Sequence, residues 1–290
     1  MTMKVLVTGA NGQLGRALQD AVPDAMQVRA VSRNELDVTD RAAVHAMVET
    51  WRPDVIINAA AYTAVDKAES EPELAEQGNA IAPRNLALAA NEIQARVIHI
   101  STDFVFDGRS SSPYQPDSKT APLGVYGRTK LAGEKAVQEV AGQRALIVRT
   151  AWVYDAVGKN FLRTMLRLMQ ERGAVRVVAD QIGTPTSAAS LASVLWQFVL
   201  HSELSGVFHW TDAGVASWYD FAVAIAEEAV AAGVLKSMPA ITPIATQDYP
   251  TPAQRPAYSV LDKSATYAAL GVRPVHWREQ LRAVMAKVVL

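Results

Sequence analysis

Five short apolar runs, each followed by a stretch that turns over every three to four residues, constrain this chain more than any other feature. Val5-Leu6-Val7, Val28 to Val31, Val55-Ile56-Ile57, Val97 to Ile100 and Ala145 to Val148 read as buried strands. Between the second and third, Val44, Met47, Val48 and Trp51 fall at i, i+3, i+4 and i+7, which is one face of a helix, with Thr39 or Asp40 as its cap. Leu74 to Gln94 and Val125 to Val140 predict two more helices. Strand-helix-strand repetition requires parallel pairing with right-handed crossovers. The expected fold is α/β, a doubly wound parallel sheet. An antiparallel α+β arrangement is the alternative, and the regular spacing counts against it.

After residue 150 the rhythm changes. Asn160 to Glu171 reads as a helix, Val175 to Val178 as a strand and Gln181 to Thr186 as a loop. Ser187 to His201 is a buried or amphipathic helix, and Ser217 can cap a helix over Trp218 to Ala232. Ser237 to Tyr258 is rich in Pro and Thr and predicts loop or extended chain. Asp262 can cap a short helix ended by Gly271, and a last helix is expected from Trp277 to the C-terminus. The expected division is a dinucleotide-binding domain over 1–150, joined by the helix 187–201, and a smaller substrate-binding lobe over most of 151–290. The lobe should lie over the C-terminal edge of the sheet, where open α/β sheets bind ligands.

Composition removes several classes. The 290 residues contain no Cys, which excludes disulfides, thiol catalysis and a cysteine metal site. A net charge of −1 and the absence of a basic block give no sign of a nucleic-acid partner. No run reaches the roughly 18 apolar residues of a membrane span, and the N-terminal Val5-Leu6-Val7 is too short for a secretion signal. The expectation is a soluble cytoplasmic protein without a membrane partner.

Thr8-Gly9-Ala10-Asn11-Gly12-Gln13-Leu14-Gly15 follows the first strand and opens a helix. Gly9 permits a tight turn, Gly12 allows close approach of a pyrophosphate, and Gly15 lets helix and strand pack closely. The helix N-terminus then offers free N–H groups to phosphates. The spacing is GxxGxxG rather than GxGxxG, so a purely structural turn remains the competing reading. The second strand ends in Ser32-Arg33 where an acidic residue would read a ribose 2′-hydroxyl. A guanidinium suits a 2′-phosphate, so NADPH is the first choice of cofactor, with NADH the second; a solvent-facing Arg33 explains the letter equally well. Asp37-Val38 can border an adenine. Ala59-Ala60-Ala61 ends the third strand with side chains small enough for a cofactor to lie against the backbone.

Tyr126 and Lys130 stand four apart, on one helix face. An ammonium beside a phenol is expected to lower the Tyr pKa from about 10, which would let Tyr126 exchange a proton with a carbinol oxygen. Lys130 would also hold the nicotinamide ribose. Ser101-Thr102-Asp103 ends the fourth strand at the ligand edge, and the Thr102 hydroxyl can hydrogen-bond a carbonyl that Tyr126 protonates. A turn cap is the plainer reading of Thr102.

With these residues in place, the chain resembles the extended short-chain dehydrogenases/reductases. The likeness is nearest to the branch that reduces a dTDP-linked 4-keto sugar to dTDP-L-rhamnose. The blocks that carry it are Ala59 to Glu69, Ser101 to Gly108, Arg149 to Tyr154, Gln181 to Thr186, Ser217 to Phe221 and Arg255-Pro256, besides the glycine and Tyr/Lys motifs. The resemblance implies a Rossmann-type sheet and a small-molecule nucleotide-sugar substrate. It implies Thr102, Tyr126 and Lys130 as the catalytic group, with Asp103 beside the substrate and Trp152 stacked on or bordering the sugar. Asn11, Gly12, Gln13, Asp37, Val38, Ala60 and Tyr62 would contact the cofactor, and Arg255 would pair with the substrate's diphosphate. Without the family argument, Trp152 reads equally as core and Arg255 as a solvated surface residue.

Dehydratases of this superfamily carry an Asp-Glu pair after the Thr; here Phe104 follows Asp103, which fits reduction rather than water elimination. Position 258 is Tyr where the family more often has Asn. Some relatives bind Mg²⁺ through acidic residues, and no equivalent cluster is identifiable in this chain. Two alternatives to the reductase are a sugar-nucleotide 4-epimerase and a non-catalytic regulatory subunit of the same fold. The sequence leaves the oligomeric state open, with a homodimer as the candidate assembly.

Overall fold

The apolar runs do become adjacent parallel strands. In a computed structural model, which describes residues 2–273 and 275–288, the main sheet is formed by β1 (Met3–Thr8), β2 (Met26–Val31), β3 (Val55–Asn58), β4 (Arg96–Thr102), β5 (Ala145–Thr150) and β6 (Gly206–His209). Their order across the sheet is β6-β5-β4-β3-β1-β2, all parallel. Every residue of β5 is buried, as expected for a strand covered on both faces. β2 lies at an edge and alternates in exposure.

Helices cover both faces. α1 (Gln13–Asp20) and α6 (Ala188–Leu200) pack on one side, where Leu14, Leu18, Leu191 and Leu195 meet Val5, Val7 and Ile98. α2 (Arg41–Trp51), α3 (Ala82–Glu92) and α4 (Val125–Ala141) cover the other, with Val44, Val48, Leu86 and Val137 against Leu6, Ile56 and Val97. Asp40 is the cap of α2, accepting from the N–H groups of Ala42 and Ala43 at 2.9 and 3.0 Å. The chain passes from β2 on the far side of β1 to β3 on its near side. The crevice between β1 and β3 is therefore the switch point of the sheet.

A second core forms from α5 (Phe161–Arg172), α7 (Trp218–Ala231) and the helix Trp277–Met285, backed by paired strands Ala174–Val178 and Ala240–Ile244. Asn160 caps α5 and Ser217 caps α7, the latter in a reciprocal capping box with Asp220. Asp262 accepts from Ser264 N at 3.0 Å at the head of the helix Ser264–Leu270, and Gly271 ends it at φ +62°.

The structure departs from expectation in four places. β6 was not expected; its three leading residues are only partly buried, so the run is too short and too lightly covered to stand out. The long helix expected over 74–94 is broken by a π-helical turn at Gln77–Ile81. The loop expected over Gln181–Thr186 contains the short strand Ile182–Gly183, whereas the extended chain expected within 237–258 is present as the strand Ala240–Ile244. The last helix ends at Met285, and residues 289–290 of its expected range lie outside the described residues. No helix among the described residues is long and apolar enough to cross a membrane.

Candidate active site

The C-terminal ends of β1, β3, β4 and β5 open into one cleft of about 1060 Å³. That is at the upper end of the roughly 300–1,000 Å³ range of small-ligand pockets. Gly9, Asn11, Gly12, Gln13, Leu14, Ser32, Arg33, Asp37, Val38, Ala59, Ala60, Ala61 and Tyr62 all line it, as do Thr102, Asp103, Tyr126, Lys130, Trp152 and Arg255. Of the residues singled out in the sequence only Gly15 is not on its wall. A Cβ at Gly15 would lie 2.1 Å from Gly9 O, so Gly15 serves the contact between helix and turn.

The glycine turn suits a phosphate ligand. Gly9 adopts φ +73°, and a Cβ there would meet the backbone of Ala59 and Ala60 at 2.8–2.9 Å. Gly12 N donates to Gly9 O at 2.9 Å and closes the turn. No side chain caps α1, so its first N–H groups are left for a ligand. The second half of the chain reaches this turn: Asn160 Nδ2 donates to Gln13 Oε1 at 2.7 Å. At the other end of the cleft, Arg33 is 82% exposed and lies 3.7 Å from the Asp37 carboxylate. Asp37 accepts from Thr39 N and Oγ1 at 3.0 and 2.7 Å, and these bonds hold its carboxyl below the usual range.

At the centre, Tyr126 and Lys130 sit on the first turns of α4 and Thr102 ends β4. Thr102 Oγ1 donates to Asp103 Oδ1 at 2.9 Å, and the Thr102 hydroxyl draws the pKa of the Tyr126 phenol down. The ring of Phe104 meets that of Tyr126 edge-on at 5.5 Å. Asp103 is buried, and its Oδ2 has no partner within hydrogen-bond distance. Burial pushes its carboxyl up to about 6, tempered by the hydroxyls of Ser259 and Thr102.

The expected acidic phenol is corrected here. Burial pushes Tyr126 up to about 12, and the Asp103 charge adds to the rise against the Thr102 bond. Burial also brings Lys130 down to about 8, and its Nζ donates to the Ile100 carbonyl at 2.6 Å. The i, i+4 spacing does place both groups on the cleft, but removal from water outweighs their mutual influence.

Two supports hold α4, and the sequence reading missed both. Glu134, one turn beyond Lys130, forms a buried two-pronged pair with Arg149 of β5 at 2.8 and 2.9 Å. Asn79, in the π-helical turn, donates to Thr129 Oγ1 at 3.2 Å and to Tyr62 O at 3.0 Å, and accepts from Tyr62 N at 2.9 Å. A Cβ on Gly133 would sit 2.0 Å from Asn79 O, so helix and π-turn touch backbone to backbone. A polar Asn inside a helical pattern was the available signal.

Elsewhere on the wall, Trp152 takes a left-handed backbone (φ +49°) and stacks on Trp218 at 3.5 Å and 8°. Trp218, also on the cleft wall, was not singled out in the sequence. Arg255 lines the cleft, yet both its terminal nitrogens bond the Asp66 carboxylate at 2.9 Å. Among the described residues, no group of three or more His, Asp or Glu side chains is arranged to hold a metal ion.

A family model described as RmlD substrate binding domain matches residues 3–290. The dTDP-4-dehydrorhamnose reductase of Aggregatibacter actinomycetemcomitans is 42% identical over 290 residues, covering 98% of each chain. The chain belongs to the dTDP-4-dehydrorhamnose reductase family. Among solved members, that of Clostridium acetobutylicum is similar with a TM-score of 0.91 and 40% identity, over 98% of both chains. That of Bacillus anthracis, in complex with NADP, gives 0.93 and 37% identity over 99% of this chain and 100% of the other. The family is one of oxidoreductases on a Rossmann-type sheet, in agreement with the resemblance drawn from the sequence.

Proposed function

We propose that this chain reduces dTDP-4-dehydro-L-rhamnose to dTDP-L-rhamnose with NADPH or NADH, and that Tyr126 is the proton donor. The observation that carries this reading is the meeting of Tyr126, Thr102 and Lys130 with the glycine turn in one cleft. Family membership and the NADP complex of a relative support it. Residues 1–150 would bind the dinucleotide and 151–290 mainly the substrate.

Gly9 to Leu14 would cradle the pyrophosphate, and Ala59 to Tyr62 the rest of the backbone-facing side. Bound there, the reduced nicotinamide supplies a hydride to the sugar's carbonyl carbon. A phenol raised to about 12 remains protonated at neutral pH, which suits it to give its proton to the developing alkoxide. Thr102 would donate a hydrogen bond to the same oxygen, giving up its bond to Asp103 Oδ1. Lys130, ionised below about 8, stabilises the phenolate left on Tyr126 and would hold the nicotinamide ribose. Asp103 is the one carboxylate at this centre, and Phe104 takes the place of a second, so elimination lacks its acid–base pair. Trp152 would flank the sugar, and Arg255 would exchange Asp66 for the diphosphate.

The test is incubation of purified protein with the keto sugar and NADPH, reading loss of reduced nicotinamide and identifying the product by mass and NMR. Folded protein that turns nothing over rejects the proposal. Tightly retained NAD with interconversion of sugar epimers would point to an epimerase instead.

A further inference from the structure

At the end of β2, where the proposed placement of the dinucleotide would put the adenosine ribose, the carboxylate of Glu35 sits beside the cleft, bonded to Ser32 on its wall. Ser32 donates its backbone N–H at 2.8 Å and its hydroxyl at 2.7 Å to one oxygen of Glu35, Oε2. These two bonds hold the Glu35 carboxyl below its usual range, so it is ionised at neutral pH. The other donor at this corner, the Arg33 guanidinium, lies against the Asp37 carboxylate. Ser32 and Arg33 line the cleft, as do Asn34 and Leu36 on either side of Glu35. Ser32 and Arg33, two groups at the end of β2 that could grip a phosphate, therefore each face an internal anion.

We infer that Glu35 sets the cofactor choice of this enzyme by competing with the 2′-phosphate for Ser32 and repelling it, so that NADH is favoured relative to NADPH. This inference rests on the proposed placement of the dinucleotide along the glycine turn. A 2′-phosphate carries close to two negative charges. To bind Ser32 it must turn the Glu35 carboxylate outward and then lie near both Glu35 and Asp37. NADH brings only a hydroxyl, which the carboxylate can accept as a hydrogen bond. The corner thus discriminates by charge rather than by shape. At a water-exposed position each unit charge a few ångströms away changes affinity only modestly, and salt weakens the effect further.

The experiment measures the dissociation constants of NADPH and NADH by nicotinamide fluorescence for the wild type, Glu35→Gln and Glu35→Ala. The ratio of the NADPH to the NADH constant should fall by about fivefold in both variants at low salt, and the fall should shrink as ionic strength rises. An unchanged ratio, with both constants moving together, would mean that Glu35 only braces the loop and would overturn the inference. So would a ratio that rises. A wild type that binds neither nucleotide, or binds both as tightly after Gly12→Val, would instead remove the cofactor placement itself. Because the readout is a ratio on one preparation, partial misfolding of a variant does not imitate the expected result.

Discussion

The two ends of the cleft hold their charges differently. At the proposed reacting centre Thr102, Asp103 and Lys130 are buried, and burial governs the ionisation of Asp103 and Lys130. At the end of β2, Arg33, Glu35 and Asp37 lie at or near the surface, where local hydrogen bonds set the carboxylates low. Displacing one surface charge changes an equilibrium a little, because water replaces what is lost. Displacing one buried polar group changes the chemistry, because nothing replaces it. Large rate effects are therefore expected from the centre and small, salt-sensitive affinity effects from the ribose end.

The sharpest way to break this contrast is Tyr126→Phe, which should lower kcat by about 10²–10⁴-fold. Circular dichroism would check the fold, and turnover near wild type would move the reacting centre elsewhere. Next in size is the pH profile of kcat/KM. The rate should decline about tenfold per unit above pH 8 as Lys130 loses its proton, and break again near pH 6 as Asp103 gains one. Lys130→Arg should abolish the alkaline limb, since a guanidinium keeps its charge there. If the limb persists, another group titrates.

Smaller is the effect at the Asp66–Arg255 pair, which is partly exposed. Arg255→Ala should raise the substrate KM by about tenfold through loss of a charge-assisted bond to the diphosphate. Asp66→Asn should lower KM by releasing the guanidinium. Steady-state kinetics on both variants decides, and equal increases in KM would mean that the pair matters only as a brace. Smallest is Arg33→Ala, expected to weaken NADPH about threefold while leaving NADH alone. Titrating both nucleotides reads it, and an equal loss for the two would take Arg33 away from the 2′-phosphate.

What could be read from the letters follows the same division. β1, β3 and β5 were legible because strand residues covered on both faces are mostly apolar, and the glycine turn because Gly9 and Gly15 have no room for a side chain. The cleft residues followed, since strand ends in such a sheet converge by topology. Ionisation was not legible: spacing on a helix reports that Tyr126 and Lys130 are neighbours, but not how little water reaches them. Arg255 and Asp66 are 189 positions apart, and Ser32 meets Glu35 through a loop conformation with no sequence period. The π-helical turn depends on the backbone contact between Asn79 and Gly133, which lie on separate helical segments.

One feature of the sheet bears on synthesis. β6 is the last of its strands to be translated, and it pairs directly with β5. When the ribosome has released residue 150, the backbone donors and acceptors that will meet Gly206–His209 are still bare, and α6 has not arrived to shield the face beneath. Until β6 is made, β5 is a bare sheet edge, the kind of edge that invites pairing with another chain.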